Sequence, residues 1–247
     1  MDTDTSTKRD IILESQGQHM LVTSSSPEFL PYLGFWNRLL RSDVCILIDN
    51  CRFRMRHYQN RNRIRDCDGW AWLSIPVHGG HNSYLSDVET VSHSATMNSW
   101  KVAEASYRGR AEYWDVYCDK IKGFLDQQYL LDINLSLIKY LSEELDIQTE
   151  FKLASSVLPN RSEDRHVFAL HLAQEIGGTA YLSSVGNIGM HSKVPELDIQ
   201  VRFQNFVCLP YPQVFQGYHP RMSILDCLVT HGAEYTRRII EGGYRNA

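Results

Sequence analysis

From Leu21 to Ile48 the apolar positions change period twice. A short apolar run, Leu21–Thr23, stops at Ser24, Ser25 and Ser26, and Pro27 and Pro31 bracket a tight connection. Leu33, Trp36, Leu39 and Leu40 then recur at helical spacing until Ser42 and Asp43, after which Val44–Ile48 is uninterruptedly apolar and closes on Asp49. Strand, loop, helix and strand in that order predict a βαβ unit. A second strand without polar alternation predicts burial on both faces, as in a parallel sheet. In such sheets ligands gather beyond the carboxyl ends of the strands, which is where the serines and Asp49 fall.

Beyond Asp49 the period becomes two. Arginines stand at 52, 54 and 56 and again at 61, 63 and 65, with Phe53, Met55 and Ile64 between them. Alternation of this kind places arginine on one face of an extended strand, and the break at His57–Asn60 suits a turn, so a hairpin with two arginine rows is expected. Asp66-Cys67-Asp68-Gly69 is a second turn signal, and Trp70–Val77 reads as a strand ending at Pro76 or just beyond. Residues 78–99, rich in Gly, Ser, His and Asn, read as a long, mobile loop.

A helical pattern runs from Trp100 to Gln128, interrupted at Gly109 and Gly123. Asn134 is placed to cap a further helix carrying Leu137, Ile138, Leu141 and Leu145. Residues 100–146 therefore read as a helical insertion. Phe151–Ser155 is a weak strand, and Ser162 with Glu163 and Asp164 opens a helix that Gly177-Gly178 stop. Thr179–Ser184 and Ile199–Val207 are further strands. Ser223–Ile240 is helical, with a weak point at Gly232. The expected fold is α/β and Rossmann-like, a mainly parallel sheet with that insertion, formed by residues 19–247 as a single domain behind a disordered 1–18.

Charge narrows the function. The formal net charge is −4 and the isoelectric point about 6.2, so no global field draws the chain to nucleic acid or a membrane surface. Residues 52–65 nevertheless hold six arginines and no acid, leaving 19 basic against 29 acidic residues elsewhere. Arginine forks bind phosphate or carboxylate in two-point fashion, and Asn60 and Asn62 add amide groups. The alternative is a solvated strand face, and Arg54 and Arg56 are assigned to solvent. The six cysteines form no C-x-x-C pair and read as reduced thiols. With no signal-peptide pattern at the start and no apolar stretch of membrane-spanning length, a cytoplasmic location is expected.

Other candidates sit on loops. Ser24–Pro31, leading into a helix, is a candidate anion site through free N–H groups and hydroxyls. Asp49 is a general base, a metal ligand, a ribose anchor or the anchor of an arginine. His78, His81 and His93 are too loosely spaced for a metal site, and none is assigned. Tyr181–Asn187 ends a strand in hydroxyls, Pro210–Gln213 is a rigid extended segment, and Asp226 read by itself is a surface acid. No P-loop, G-x-G-x-x-G or histidine-containing nucleotidyl-transfer motif is present.

The strings SSPEFLPYLGFW, SDVCILID, RHYQNRNRI and WAWLSIPV, followed by LPYPQVF and HPRMSILDCLVTHG, resemble the WbqC-like family of bacterial proteins across roughly residues 20–240. The resemblance implies a role in assembling O-antigen, related sugars or natural products, with glycine transfer as the proposed chemistry. This chain departs from the family pattern: Ser25-Ser26-Pro27 stands for His-Gln-Pro, Asp49-Asn50-Cys51-Arg52-Phe53 for Asp-Asp-Val-Gln-Phe, and Tyr181-Leu182-Ser183-Ser184 for Tyr-Leu-Ser-Gly.

Resemblance and residues together give an expected transferase joining an amino acid or amine to an activated, phosphate-bearing intermediate. Asp49, Asn60 and Asn62 are its catalytic candidates. Ser24, Ser25, Ser26, Arg61, Arg63, Ser183, Ser184, Asn187 and Gln213 are its substrate-binding candidates. No cofactor is assigned beyond a nucleotide or nucleotide-linked substrate, and no macromolecular partner is assigned. A Rossmann-like nucleotidyltransferase or ATP-dependent ligase, and a non-catalytic scaffold subunit, are the alternatives; oligomeric state is left open.

Overall fold

A computed structural model describes residues 19–78, 83–159, 164–184, 187 and 199–243. The opening pattern folds as β1 (Leu21–Ser25), α1 (Leu33–Leu39) and β2 (Val44–Leu47). An antiparallel hairpin follows, β3 (Arg61–Asp66) and β4 (Gly69–Ser74), and then a two-residue pair, β5 (Val77–His78) with β6 (Glu89–Thr90). Helices α2 (His93–Tyr107), α3 (Trp114–Phe124) and α4 (Leu130–Glu144) come next. The chain then returns through β7 (Glu150–Leu153), α5 (Ala154–Val157), α6 (Arg165–Glu175), β8 (Ala180–Ser183) and β9 (Gln200–Phe203) to α7 (Ile224–Gly242).

Five strands form one parallel sheet in the order β7-β2-β1-β8-β9. Numbered by appearance within that sheet, the order is 3-2-1-4-5, the arrangement of doubly wound α/β folds, whose ligand crevice lies where the order reverses. Here that is the boundary between β1 and β8. The continuous apolar run of β2 has its explanation in the layers. Val44 and Ile46 face Phe168 and Leu172 of α6, whereas Cys45 and Leu47 face the larger core of Trp36, Leu137, Leu141 and Leu228. Both faces are covered, so neither can afford a polar residue.

Several expectations are corrected. The first arginine row forms no strand; the hairpin instead joins 61–66 to 69–74, with Asp66 opposite Gly69. Asp68 N donates to Asp66 Oδ1 at 3.1 Å in the turn, and Gly69 supplies a φ of +124°. The stretch read as a long loop ends early, because Ser92 Oγ accepts from Ala95 N and starts α2 at His93 instead of Trp100. Residues 79–82, including His81, lie outside the described residues, as do 1–18. Asn134 caps nothing: it is fully buried inside α4 and donates to Pro27 O and Gln59 O. Gly123 lies within α3. The cap of α6 is Asp164, whose carboxylate accepts from His166 N and Val167 N; Ser162 lies outside the described residues. Gly232, with φ +80°, kinks α7.

Asp226 is the sharpest correction, since it is not a surface acid. It is fully buried and accepts from Tyr107 OH, Tyr211 OH and Gln213 Nε2, each at 2.8 Å. Desolvation raises its pKa against the pull of those three donors. Among the described residues, no helix is long and apolar enough to cross a membrane.

Candidate functional site

The reversal of strand order brings two serine-bearing strand ends together. Ser24 and Ser25 end β1, and Ser183 ends β8. Ser24 Oγ and Tyr181 OH share a hydrogen bond of 2.7 Å, and Thr23 Oγ1 donates to Leu182 O at 2.8 Å. Above them opens a cleft of about 620 Å³ lined by Ser24, Ser25, Ser26 and Ser184 together with Arg38, Arg52, Arg54 and Arg165. Glu28 is the one acid on its described wall. Arg38 reaches back from the last turn of α1, Nη1 lying 3.4 Å from Ser24 O, and no carboxylate lies within ion-pair distance of it among the described residues. Several arginines on one cleft wall favour a bound anion, and guanidinium forks suit phosphate.

The field of these arginines marks two histidines on the same wall. Burial lowers the His57 pKa, and Arg54, Arg165 and Arg61 lower it further. His166 is lowered by burial and then by Arg165. The charge comes from side chains and not from a helix end: α1 starts only at Leu33, spans seven residues, and has no side-chain cap at Tyr32.

Glu28 stands where this cleft meets a second one of about 1070 Å³, and it lines both, as does Ser184. Burial pushes the Glu28 carboxyl up to about 7, partly opposed by Arg38. A carboxyl that titrates near neutrality in a cleft is suited to proton transfer. The loop behind it is held firmly. Leu30 adopts φ +43°, a left-handed conformation that costs energy in a non-glycine residue and persists only where the surroundings enforce it. Asn62 Nδ2 donates to Phe29 O and Leu30 O at 3.1 and 2.9 Å, Ser223 Oγ donates to Leu30 O at 2.9 Å, and Phe29 N donates to Tyr58 O.

The residues singled out from sequence divide accordingly. Ser25 and Ser184 present hydroxyls to the cleft with no protein partner among the described residues. Ser26 Oγ accepts from the buried Gln59 Nε2 at 2.8 Å and lies 3.2 Å from Cys51 Sγ. Asn187 lines the same cleft and approaches Ser183 Oγ at 3.4 Å. Arg63 lines the second cleft, and Arg54, assigned to solvent, is exposed yet on the wall of the first.

The others hold structure together. Both Asp49 oxygens are engaged by Ser155, Oδ1 by its N at 2.9 Å and Oδ2 by its Oγ at 2.5 Å, which fixes the start of α5. Asn60 Nδ2 donates to Ile75 O, Asn62 locks the Glu28 loop, and Gln213 joins His219 to Asp226. Arg61 stacks over Trp72 at 3.9 Å and donates to Arg56 O. The sequence reading did not single out Glu28 or Arg38, and named Tyr181 only as the start of the hydroxyl-bearing stretch 181–187. The one available signal was Glu28 itself, the sole acid between residues 19 and 42 and just past a strand end.

Fold and site together define an α/β protein with an arginine-lined cleft at the topological switch point. The chain belongs to the WbqC-like protein family, whose model matches residues 26–238. It is also similar to the uncharacterized protein Rv1507c of Mycobacterium tuberculosis (strain ATCC 25618 / H37Rv), 25% identical over 213 residues that cover 83% of this chain and 91% of that protein. No solved structure matches the chain.

Proposed function

We propose that the protein is a cytoplasmic transferase that joins an amino acid or another small amine to an activated, phosphate-bearing molecule. The observation that carries this reading is Glu28, titrating near neutrality at the edge of a cleft whose other described charges are arginines. In this scheme Arg38, Arg54 and Arg165 with Ser25 and Ser184 hold the phosphates. The base is Glu28 in place of Asp49, because Ser155 occupies both Asp49 oxygens. The amine lone pair forms the new bond to the electrophilic carbon. The bond from that carbon to the phosphate oxygen breaks with its electron pair leaving on the phosphate, and the amine proton passes to the Glu28 carboxylate. Catalysis then rests on positioning and on arginine stabilisation of the leaving group.

The test is titration calorimetry with inorganic pyrophosphate at low salt. Binding is expected, and Arg38→Met should weaken it at least about tenfold, the worth of a hydrogen bond to a charged group. Absence of binding, or equal affinity in the variant, would overturn the assignment.

A further inference from the structure

The second cleft is larger than a glycine-sized amine requires, and its walls differ from those of the first. Tyr32, Tyr58 and Trp70 supply rings, Arg63 and Arg221 supply cations, and Glu28 at the junction is again the one acid on the described wall. Trp70 comes from β4, Tyr58 from the turn before β3 and Tyr32 from the start of α1. Trp70 is 40% exposed, meets Trp72 edge to face at 5.3 Å, and lies 5.3 Å from the Arg63 guanidinium carbon. Tyr58 packs on Trp72 at 6.2 Å. Arg63 is itself fixed, because its Nη2 donates to Arg221 O at 2.9 Å. Arg221 has a φ of +60° and is exposed, so a strained backbone presents its side chain to the cleft.

We infer that the second cleft receives the base of a nucleotide whose phosphates occupy the first, so that the activated substrate is a nucleoside diphosphate derivative. This rests on the reading proposed above. Two features favour a planar ring over an aliphatic body. Indole and guanidinium groups both offer flat faces, and both stack on nucleobases regardless of base identity. Tyr32, Tyr58 and Phe206 add further rings to the same wall, beside the aliphatic Val207 and Met222. The shared residues Glu28 and Ser184 join the clefts, so one ligand passes from arginines to aromatics without leaving the protein. A volume of about 1070 Å³ accommodates a nucleoside and leaves room beside Glu28 for the amine.

Calorimetry with UDP, ADP and pyrophosphate on the full chain separates the two readings. At least one nucleoside diphosphate should bind about tenfold or more tighter than pyrophosphate, the size of one base–aromatic stack. Trp70→Ala should remove that margin while leaving pyrophosphate affinity unchanged, and Trp70→Phe should restore most of it. Trp70 is exposed enough for these variants to fold, which a thermal melt checks. Pyrophosphate binding with no nucleoside margin, or a margin that survives Trp70→Ala, overturns the base site alone. Failure of pyrophosphate itself to bind overturns the function proposed above, and this inference with it.

Discussion

Ser24 Oγ and Tyr181 OH lie 2.7 Å apart across the β1–β8 boundary, joining the two strands whose ends carry the first cleft. Both residues are buried, so the bond supplies the Ser24 hydroxyl with a partner away from bulk water. Tyr181→Phe leaves the Ser24 hydroxyl short of that bond and should lower stability by about 1 kcal/mol. Urea unfolding of the two proteins reads this directly. A variant as stable as the wild type would show that the bond is replaced from solvent through the cleft.

Glu28 makes a pH prediction with a definite sign. Its carboxyl moves from an ordinary 4.5 to about 7 because burial disfavours the charge. The folded chain therefore holds this proton more tightly than the unfolded chain. The stability it contributes is complete below about pH 4.5 and is lost as pH rises toward about 7. Glu28→Gln removes this titration, so the stability difference between variant and wild type should change across that window and level off outside it. Denaturant melts at a series of pH values provide the check, and a constant difference would place the carboxyl at its ordinary value. If Glu28 is the base, the same substitution should abolish a transfer rate that in the wild type rises through pH 7.

Arg61 and Arg38 should behave oppositely. Arg61 stacks on Trp72 and donates to Arg56 O, contacts that belong to the hairpin. Arg61→Lys should cost roughly 0.5–1 kcal/mol of stability through the lost stack and leave pyrophosphate affinity unchanged. Arg38→Lys keeps the charge but loses the planar fork, and should weaken pyrophosphate by roughly 1.5–3 kcal/mol. Equal effects on binding at both positions would move the anion site toward the hairpin.

Asn62 tests whether the Glu28 loop is held from behind. Asn62→Ala leaves Phe29 O and Leu30 O without their shared donor in a buried place, which should cost about 1–3 kcal/mol. Hydrogen exchange should quicken at Phe29, whose amide bonds Tyr58 O. Unchanged protection there, together with wild-type stability, would show that Ser223 alone suffices to hold Leu30.

The sequence by itself determined the elements that local pattern encodes. The apolar run of Val44–Ile48 announced a strand covered on both faces, the turn residues at Asp66–Gly69 announced a reversal, and Ser223 announced the start of α7. The serines at the end of β1 were legible as a candidate site, because a parallel sheet exposes its ligand crevice there. Tertiary structure decided the rest. Alternation placed arginine between apolar residues at 52–56, but a strand forms only where a partner strand completes its hydrogen bonds; 52–56 has the single bridge of Arg52 to Tyr84, whereas 61–66 pairs along its length with 69–74. Asp226 looked solvated because nothing near it in sequence could satisfy it; Tyr107 and Tyr211, brought from 119 and 15 residues away, do so. Glu28 and Arg38 carry ordinary side chains at unremarkable positions. What sets them apart is the burial of Glu28, the nearness of Arg38 to it, and Arg54 and Arg165 on the same cleft wall, and these depend on distance through space, which the order of residues does not state.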